Sequence, residues 1–400
     1  MKKKLLWHGD AACASGFSRC THGALDVLRH SYDVSVIGIN HTGDPHPYPY
    51  DIYPAARAYR NDDMFGVSRL AELTPLLKPD AIVLLNDPWN IPAYLPHAGD
   101  VPVAAWVAVD GKNCRGEGMN GLALAVFWTQ FALDEARAGG YTGPAAIVPL
   151  GVDIDTYRPL DRAFARSERG IGLPEHMRDW FVVGAVGRNQ PRKRLDLTID
   201  YFADWVRTRG IDDACLFLHV APTGERGYDL DQLVKYYGLT GRVVKVAPRN
   251  LGVGLSESSM AWVYACFDAQ LTTTQGEGWG LCTMEGMACG VPQVVPDWSA
   301  LGEWTEDAAL KVPCTSVAHT PDTINVVGGV PDRAGTLAAL DRLYYDRDAR
   351  ETLARRGLAL AQQPRYRWPA IGAAFQVALD AALAAWSPAP HQPDLVEEAV

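Results

Sequence analysis

The chain is short of positive charge: 37 Lys and Arg stand against 47 Asp and Glu in 400 residues, a net charge of −10. A deficit of that sign opposes broad binding to nucleic acid or to an anionic membrane, since both call for a basic face. Long apolar runs are missing at the start, where Met1-Lys-Lys-Lys-Leu-Leu-Trp-His-Gly-Asp holds only three apolar residues in succession. That is too short for a signal peptide or a membrane span, so the segment reads as a first strand and no transmembrane segment is expected. Eight cysteines form no Cys-x-x-Cys pair, and Cys215, Cys266 and Cys282 lie in apolar runs. Reduced, packed thiols in a cytoplasmic protein are the expectation. Ten histidines show no His-x-x-x-His spacing, and His41 and His46 merely bracket a Pro-rich loop. No metal site is expected. Tandem repeats and low-complexity tracts are absent as well.

With 48% hydrophobic residues the chain can bury a large core, and its length suggests two domains. Strand-like runs recur at 4–7, 34–39, 81–85, 103–109, 124–128 and 145–148, most of them separated by helix-length stretches. A second series follows at 181–186, 215–220, 243–247, 269–274, 293–295 and 310–312. This alternation predicts α/β architecture with parallel sheets in two Rossmann-like halves. Residues 1–158 form the first domain and 159–368 the second, with 148–159 and the polar segment 160–180 of linker character between their cores. The stretch 369–386 reads as a terminal helix, and the Pro-rich tail 387–400 as disordered.

The most informative stretch is 270–304. A β-type run feeds a loop with Gly276, Gly278 and Gly280, and a helical pattern follows through Leu281, Met284, Met287 and Ala288 until Gly290-Val291-Pro292 ends it. Glycines let the backbone approach a ligand, and the helix start offers unpaired N–H groups and a positive dipole end to an anion such as phosphate. Glu277 in the loop and Glu285 in the helix are separated by seven residues and can accept hydrogen bonds from sugar hydroxyls, although glutamates near a helix start are also ordinary solvated groups. The string Glu277-Gly-Trp-Gly-Leu-Cys-Thr-Met-Glu-Gly-Met-Ala-Cys-Gly-Val-Pro292 closely resembles the donor-site signature of the retaining family 4 glycosyltransferases, also called glycosyl transferases group 1. The resemblance implies a GT-B fold, with two doubly wound domains facing a central cleft and the terminal helix crossing back to the first. It also implies that Glu285 binds the ribose of a nucleotide sugar, while Glu277 and the backbone of Gly278, Trp279, Gly280 and Leu281 hold the transferred sugar.

A second anchor is Gly187-Arg188-Asn189-Gln190-Pro191-Arg192-Lys193-Arg194, between a strand and an amphipathic helix with Leu195, Ile199, Phe202 and Val206 on one face. Cations oppose the dipole at a helix N-terminus, so this cluster points to an anionic guest. The family pattern has an arginine and a lysine at this spacing, and the match selects Arg188 and Lys193 rather than Arg192 or Arg194. In the first half Asp10-Ala-Ala-Cys-Ala-Ser15-Gly16-Phe-Ser-Arg19 is neither a dinucleotide motif nor a Walker loop and reads by itself as a strand-to-helix turn. In the family a glycine loop here faces the donor diphosphate, which selects Gly16 before Asp10, Ser15 and Arg19.

The family often places a histidine near the donor sugar where this chain has Asp110. That carboxylate either bonds a sugar or acceptor hydroxyl or opens a turn with Gly111. Arg249 falls where the family's nucleobase loop lies, and Glu303 matches a glutamate near its site. The Asp-x-Asp pairs 153/155, 229/231 and 346/348 end no core strand convincingly, so no essential metal is expected. The aromatic, Pro-rich stretch 40–66 is either an acceptor-stacking surface or a rigid surface loop.

The resemblance thus implies a retaining transferase that moves a sugar from a UDP- or GDP-sugar to an acceptor hydroxyl. Arg188, Lys193, Glu277 and Asp110 would be catalytic, and no cofactor is needed beyond the nucleotide diphosphate sugar as co-substrate. A nucleotide-sugar epimerase, a sugar phosphorylase, and a non-catalytic nucleotide-sugar-binding protein are the alternatives.

Overall fold

A computed structural model of the chain describes residues 2–56, 63–220, 227–246, 255–321, 324 and 326–387. Arg249, most of the tail and residues 57–62 of the 40–66 stretch lie outside the described residues. The first domain is built on a seven-stranded sheet of β1 (Lys3–Asp10), β2 (Tyr32–Ile39), β3 (Asp51–Pro54), β4 (Ala81–Asn86), β5 (Val103–Val107), β6 (Leu124–Phe127) and β7 (Ala145–Ile147). Its strand order is β3-β2-β1-β4-β5-β6-β7, and every paired register is parallel.

The second domain repeats the plan with β8 (Phe181–Gly187), β9 (Ala214–Val220), β10 (Val243–Lys245), β11 (Ala269–Leu271), β12 (Gln293–Pro296) and β13 (Leu310–Val312) in the order β10-β9-β8-β11-β12-β13. Parallel strands covered by helices on both faces read as continuous apolar runs, as in Ala81-Ile-Val-Leu-Leu, where every residue is buried. Two elements depart from the sequence expectation. β3 is a short edge strand inside the Pro-rich stretch. An antiparallel hairpin of β14 (Cys314–His319) and β15 (Val327–Pro331) follows β13, and most of β14 is too exposed to have signalled a buried strand.

Polar residues at 160–180 suggested a loose linker, but the segment is packed. Arg166 is buried, pairs with Asp268 at 2.7 Å and donates to the Cys266 carbonyl at 3.0 Å and 2.7 Å. Asp268 in turn accepts from the amide of Val182 at the start of β8, at 2.8 Å. The polarity that mimicked a linker belongs to a satisfied buried ion pair.

Helix Trp368–Ala385 returns to the first domain. Ile371, Gly372, Phe375 and Leu379 are its buried face, and Phe375 packs on Trp7 and Trp106 with ring centroids 5.7 and 5.1 Å away. A Cβ on Gly23 would come within 2.5 Å of the Trp368 ring, so the helix Gly16–Leu28 accepts this partner only because position 23 is bare. The returning helix is long and apolar enough to cross a membrane by length and composition, with a mean hydropathy of 1.3. Phe375→Ala should destabilise the protein by about 3–5 kcal/mol, as expected for a fully buried aromatic, and urea unfolding of the pair of proteins measures it.

Candidate functional site

The carboxyl ends of β1, β4 and β5 on one side and of β8 and β11 on the other open onto one cleft of 1120 Å³. In open α/β sheets this is where ligands bind. Beyond β11, residues 272–280 form the glycine loop and helix Leu281–Ala288 follows. Two of its glycines answer to the opposite domain: a Cβ on Gly276 would lie 2.0 Å from the Asp110 carbonyl oxygen, and one on Gly278 would lie 2.8 Å from the Trp128 ring. Gly280, at φ 91°, makes the left-handed step into the helix. The loop is bare because the first domain presses on it, a requirement that exists whether or not a ligand is bound.

Cations and carboxylates alternate across this contact. Glu277 is bound by Lys193 and by Arg192 at 3.3 Å, Arg192 reaches on to Asp110 at 3.2 Å, and Asp110 accepts the Gly278 amide at 2.7 Å. Arg192 also donates to the Gly276 carbonyl at 2.9 Å. Of the three basic residues after Pro191, two therefore face the cleft. Lys193 does so as the motif match proposed, Arg192 does so as well, and Arg194 pairs with Asp196 at 2.9 Å. The expected first helical turn is instead a 3₁₀ turn, Pro191–Lys193, closed by Arg194 at φ 50°; the helix begins at Leu195. Neither reading of Asp110 was complete, since it clasps the two domains.

Glu285 is buried on helix Leu281–Ala288, where one carboxylate oxygen is bound by Arg19 of the first domain and the other accepts from Tyr264 at 2.7 Å. Arg19 also donates to Tyr157 at 2.9 Å. Burial pushes the Glu285 carboxyl up in spite of Arg19 and Tyr264. Gly16 starts helix Gly16–Leu28 and abuts Leu281, with only 3.2 Å to spare for a Cβ. Ser15 caps that helix by accepting from the Ser18 amide at 3.0 Å and donates to Asp10 at 2.5 Å. Arg188 lines the cleft, and its charge acts on Asp10, whose carboxyl burial pushes up.

The Trp279 ring lines the cleft, buried and stacked on Trp304 at 5.0 Å. Other candidates serve structural purposes. Glu303 accepts the amides of Gln130 and Phe131 at 2.9 and 2.7 Å and caps helix Gln130–Ala138 of the first domain, away from the cleft. Asp229 and Asp346 of the Asp-x-Asp pairs are helix N-caps, and Asp153 closes a turn onto the Asp155 amide. Among the described residues no group of three or more His, Cys, Asp or Glu is placed to hold a metal, and all eight cysteines are free.

Sequence reasoning missed Asp87. It follows β4, lines the cleft and is pushed up to about 7 by burial and then by Asp110, with Arg192 and Arg188 acting against this. The signal was present as a carboxylate directly after an apolar parallel strand, Ala81-Ile-Val-Leu-Leu-Asn-Asp87.

Two parallel-sheet domains closed over a cleft, with the loops beyond their strand ends in contact, define a protein of the GT-B fold. Residues 181–325 match the model of the family described as Glycosyl transferases group 1, and the string 277–292 lies within that match. Curated relatives include D-inositol 3-phosphate glycosyltransferases: that of Nocardia farcinica is 29% identical over 47% of this chain and 40% of its own length. That of Mycobacterium leprae (strain Br4923) is 32% identical over 36% of this chain and 30% of its own. The chain thus spans less than half the length of either relative. Among solved structures, sucrose-phosphate synthase of Thermosynechococcus elongatus aligns over 96% of this chain and 100% of its own, with a TM-score of 0.74 and 16% identity. HepE of Anabaena in complex with UDP aligns over 94% and 100%, with 0.69 and 17%. At these identities it is the fold that is shared.

The Glu277 cluster has a pH signature. Burial pushes the carboxyl up, but Lys193 and Arg192 overcome it and hold the group below its ordinary value. Its contribution to stability is complete above the ordinary glutamate pKa of about 4.3 and is lost as pH falls through the lower folded-state value. Glu277→Gln should cost on the order of 2 kcal/mol at neutral pH. Thermal unfolding followed against pH should show the gap from the parent protein closing in acid.

Proposed function

We propose that the chain is a glycosyltransferase that moves a sugar, with retention of configuration, from a nucleotide diphosphate sugar to an acceptor hydroxyl. The observation that carries this reading is Glu277 bound by Lys193 and Arg192 at the glycine-edged mouth of helix Leu281–Ala288, with Arg188 on the same wall of the cleft. A diphosphate brought there meets Arg188, Lys193 and the helix N-terminus, while Glu277 keeps the lysine aimed inward. As the bond from the anomeric carbon to the phosphate oxygen breaks, charge builds on the departing diphosphate, and donors already fixed at that place lower the barrier more than they tighten ground-state binding. The bond from the anomeric carbon to the acceptor oxygen forms on the same face, and the acceptor proton passes to the departing phosphate oxygen. No side-chain nucleophile is invoked.

Glu285 is the ribose-binding group in this reading, with Arg19 and Tyr264 fixing its orientation across the cleft. Asp110 positions the loop that holds the donor sugar through the Gly278 amide. UDP is the first nucleotide to try, since HepE, whose fold aligns over 95% of this chain, has been crystallised with UDP-glucose. The reaction proceeds without a metal ion, the cations of the second domain supplying the charge compensation.

Arg188→Ala and Lys193→Ala should each lower kcat on the order of 10²-fold or more, the loss found for single transition-state donors. Unchanged turnover in both variants sinks the assignment. Release of nucleoside diphosphate in step with acceptor glycosylation separates a transferase from an epimerase, a phosphorylase or a binding protein. Transfer should survive excess chelator, and its abolition there would refute metal independence.

A further inference from the structure

The two walls of the cleft differ in charge and in chemistry. Among the described residues lining it, the second domain balances Arg188, Arg192 and Lys193 with Glu257, Glu277 and Glu285, whereas the first domain contributes the carboxylates Asp10, Asp44, Asp87 and Asp110 and a single cation, Arg19, already bound to Glu285. Asp110 is engaged by Arg192 and the Gly278 amide, and Asp10 by Ser15 and Asn40, so Asp87 stands out at the end of β4. Like charges placed against an incoming anion reject it strongly.

The same wall carries a fixed aromatic stack. The Tyr48 ring, which lines the cleft, lies flat on His22 with centroids 3.4 Å apart and planes 3° apart, and Tyr50 stacks beyond at 6.0 Å from Tyr48. Both nitrogens of His22 are used: Nε2 accepts from the Ala12 amide at 2.9 Å, which leaves Nδ1 to donate to the Tyr50 hydroxyl at 2.7 Å. Burial, with His46 acting in the same sense, lowers the His22 pKa to about 3, so the ring stays neutral and the platform holds its geometry at physiological pH. His46 stands against Tyr48 at 5.9 Å and His41 against His46 at 5.6 Å, extending the aromatic surface along the cleft. A rigid aromatic face on a wall that also carries carboxylates is the chemistry that holds a ring with apolar C–H faces and a hydroxylated rim.

We propose that this wall is the acceptor subsite and that it takes an uncharged ring polyol, a sugar or cyclitol free of phosphate, lying on Tyr48 with its hydroxyls met by the wall's carboxylates, Asp87 foremost. This rests on the glycosyltransferase reading and narrows its acceptor to one class. A phosphate brought to this wall meets an excess of carboxylates with the wall's one cation already engaged, while a neutral hydroxyl can accept from the Asp87 carboxyl when it is protonated and donate to it when it is ionised.

The test uses the full chain. Calorimetric titration with UDP, GDP and ADP first establishes donor-side binding. Transfer from the matching nucleotide sugar is then measured to glucose and myo-inositol and to their monophosphates. The neutral acceptors should have the higher kcat/KM by about tenfold or more, since like-charge juxtaposition rejects the phosphorylated ones. Tyr48→Ala should raise the acceptor KM about tenfold while nucleoside diphosphate affinity stays within about twofold, and Tyr48→Phe, which keeps the stack, should restore KM. Preference for the monophosphates overturns the proposal and leaves the donor reading standing. An unchanged acceptor KM in Tyr48→Ala overturns it as well. Failure of every nucleoside diphosphate to bind overturns the donor reading and the proposal with it.

Discussion

The chain of charges Asp110, Arg192, Glu277 and Lys193 is the constraint from which the rest of the cleft follows. Each carboxylate lies between donors, and the set draws on three pieces of backbone: the turn after β8 supplies Arg192 and Lys193, the glycine loop beyond β11 supplies Glu277 and the Gly278 amide, and the loop after β5 supplies Asp110. Charges removed from water are tolerated only when matched in this way, so the set behaves as a unit that forms when the domains close. It also explains the bare loop. A side chain at 276 or 278 would hold the first domain away and break the match between Asp110 and Arg192.

Closure is reinforced from both flanks. Lys112 and Val327 exchange backbone hydrogen bonds of 2.9 and 3.0 Å, and the Gly329 amide donates to the Gln275 carbonyl at 2.8 Å, so β15 ties the loop after β5 to the glycine loop. On the other side Glu303 of the second domain caps helix Gln130–Ala138 of the first. Arg19 and Glu285 add a third tie next to the cleft itself. Groups that look catalytic in sequence are therefore shared between holding the domains together and facing the ligand.

Much of the fold was legible because parallel strands covered on both faces leave long apolar runs, and these recur with helical spacers in both halves. The missed strands are those whose environment supplies no such run: β3 at a sheet edge among prolines, and the mostly exposed β14 with its glycine-bearing partner β15. That Glu277, Glu285, Arg188 and Lys193 line one cleft was legible because two motifs, 277–292 and 187–194, fixed their spacing. The motif match selected Lys193 and passed over Arg192, and the structure turns both toward the cleft, since direction in a 3₁₀ turn ending at φ 50° does not follow from a sequence motif. Glu303 was misplaced because a local motif says nothing about which helix end a carboxylate will meet.

What the sequence by itself determined is local and periodic: two series of buried strands, a glycine loop before a helix, a basic turn before another, and a deficit of positive charge. These follow from backbone sterics and burial, which act over a few residues. Only the tertiary structure decided which charges neutralise one another, that Asp110 reaches Arg192, that Arg19 reaches Glu285, and that Asp87 and Tyr48 share a cleft wall. Those pairings join residues 80 to more than 250 positions apart or lie on different strand ends, and no spacing rule encodes them. The cross-domain pairs among them come into being when the two sheets close on one another and the buried charges must find partners.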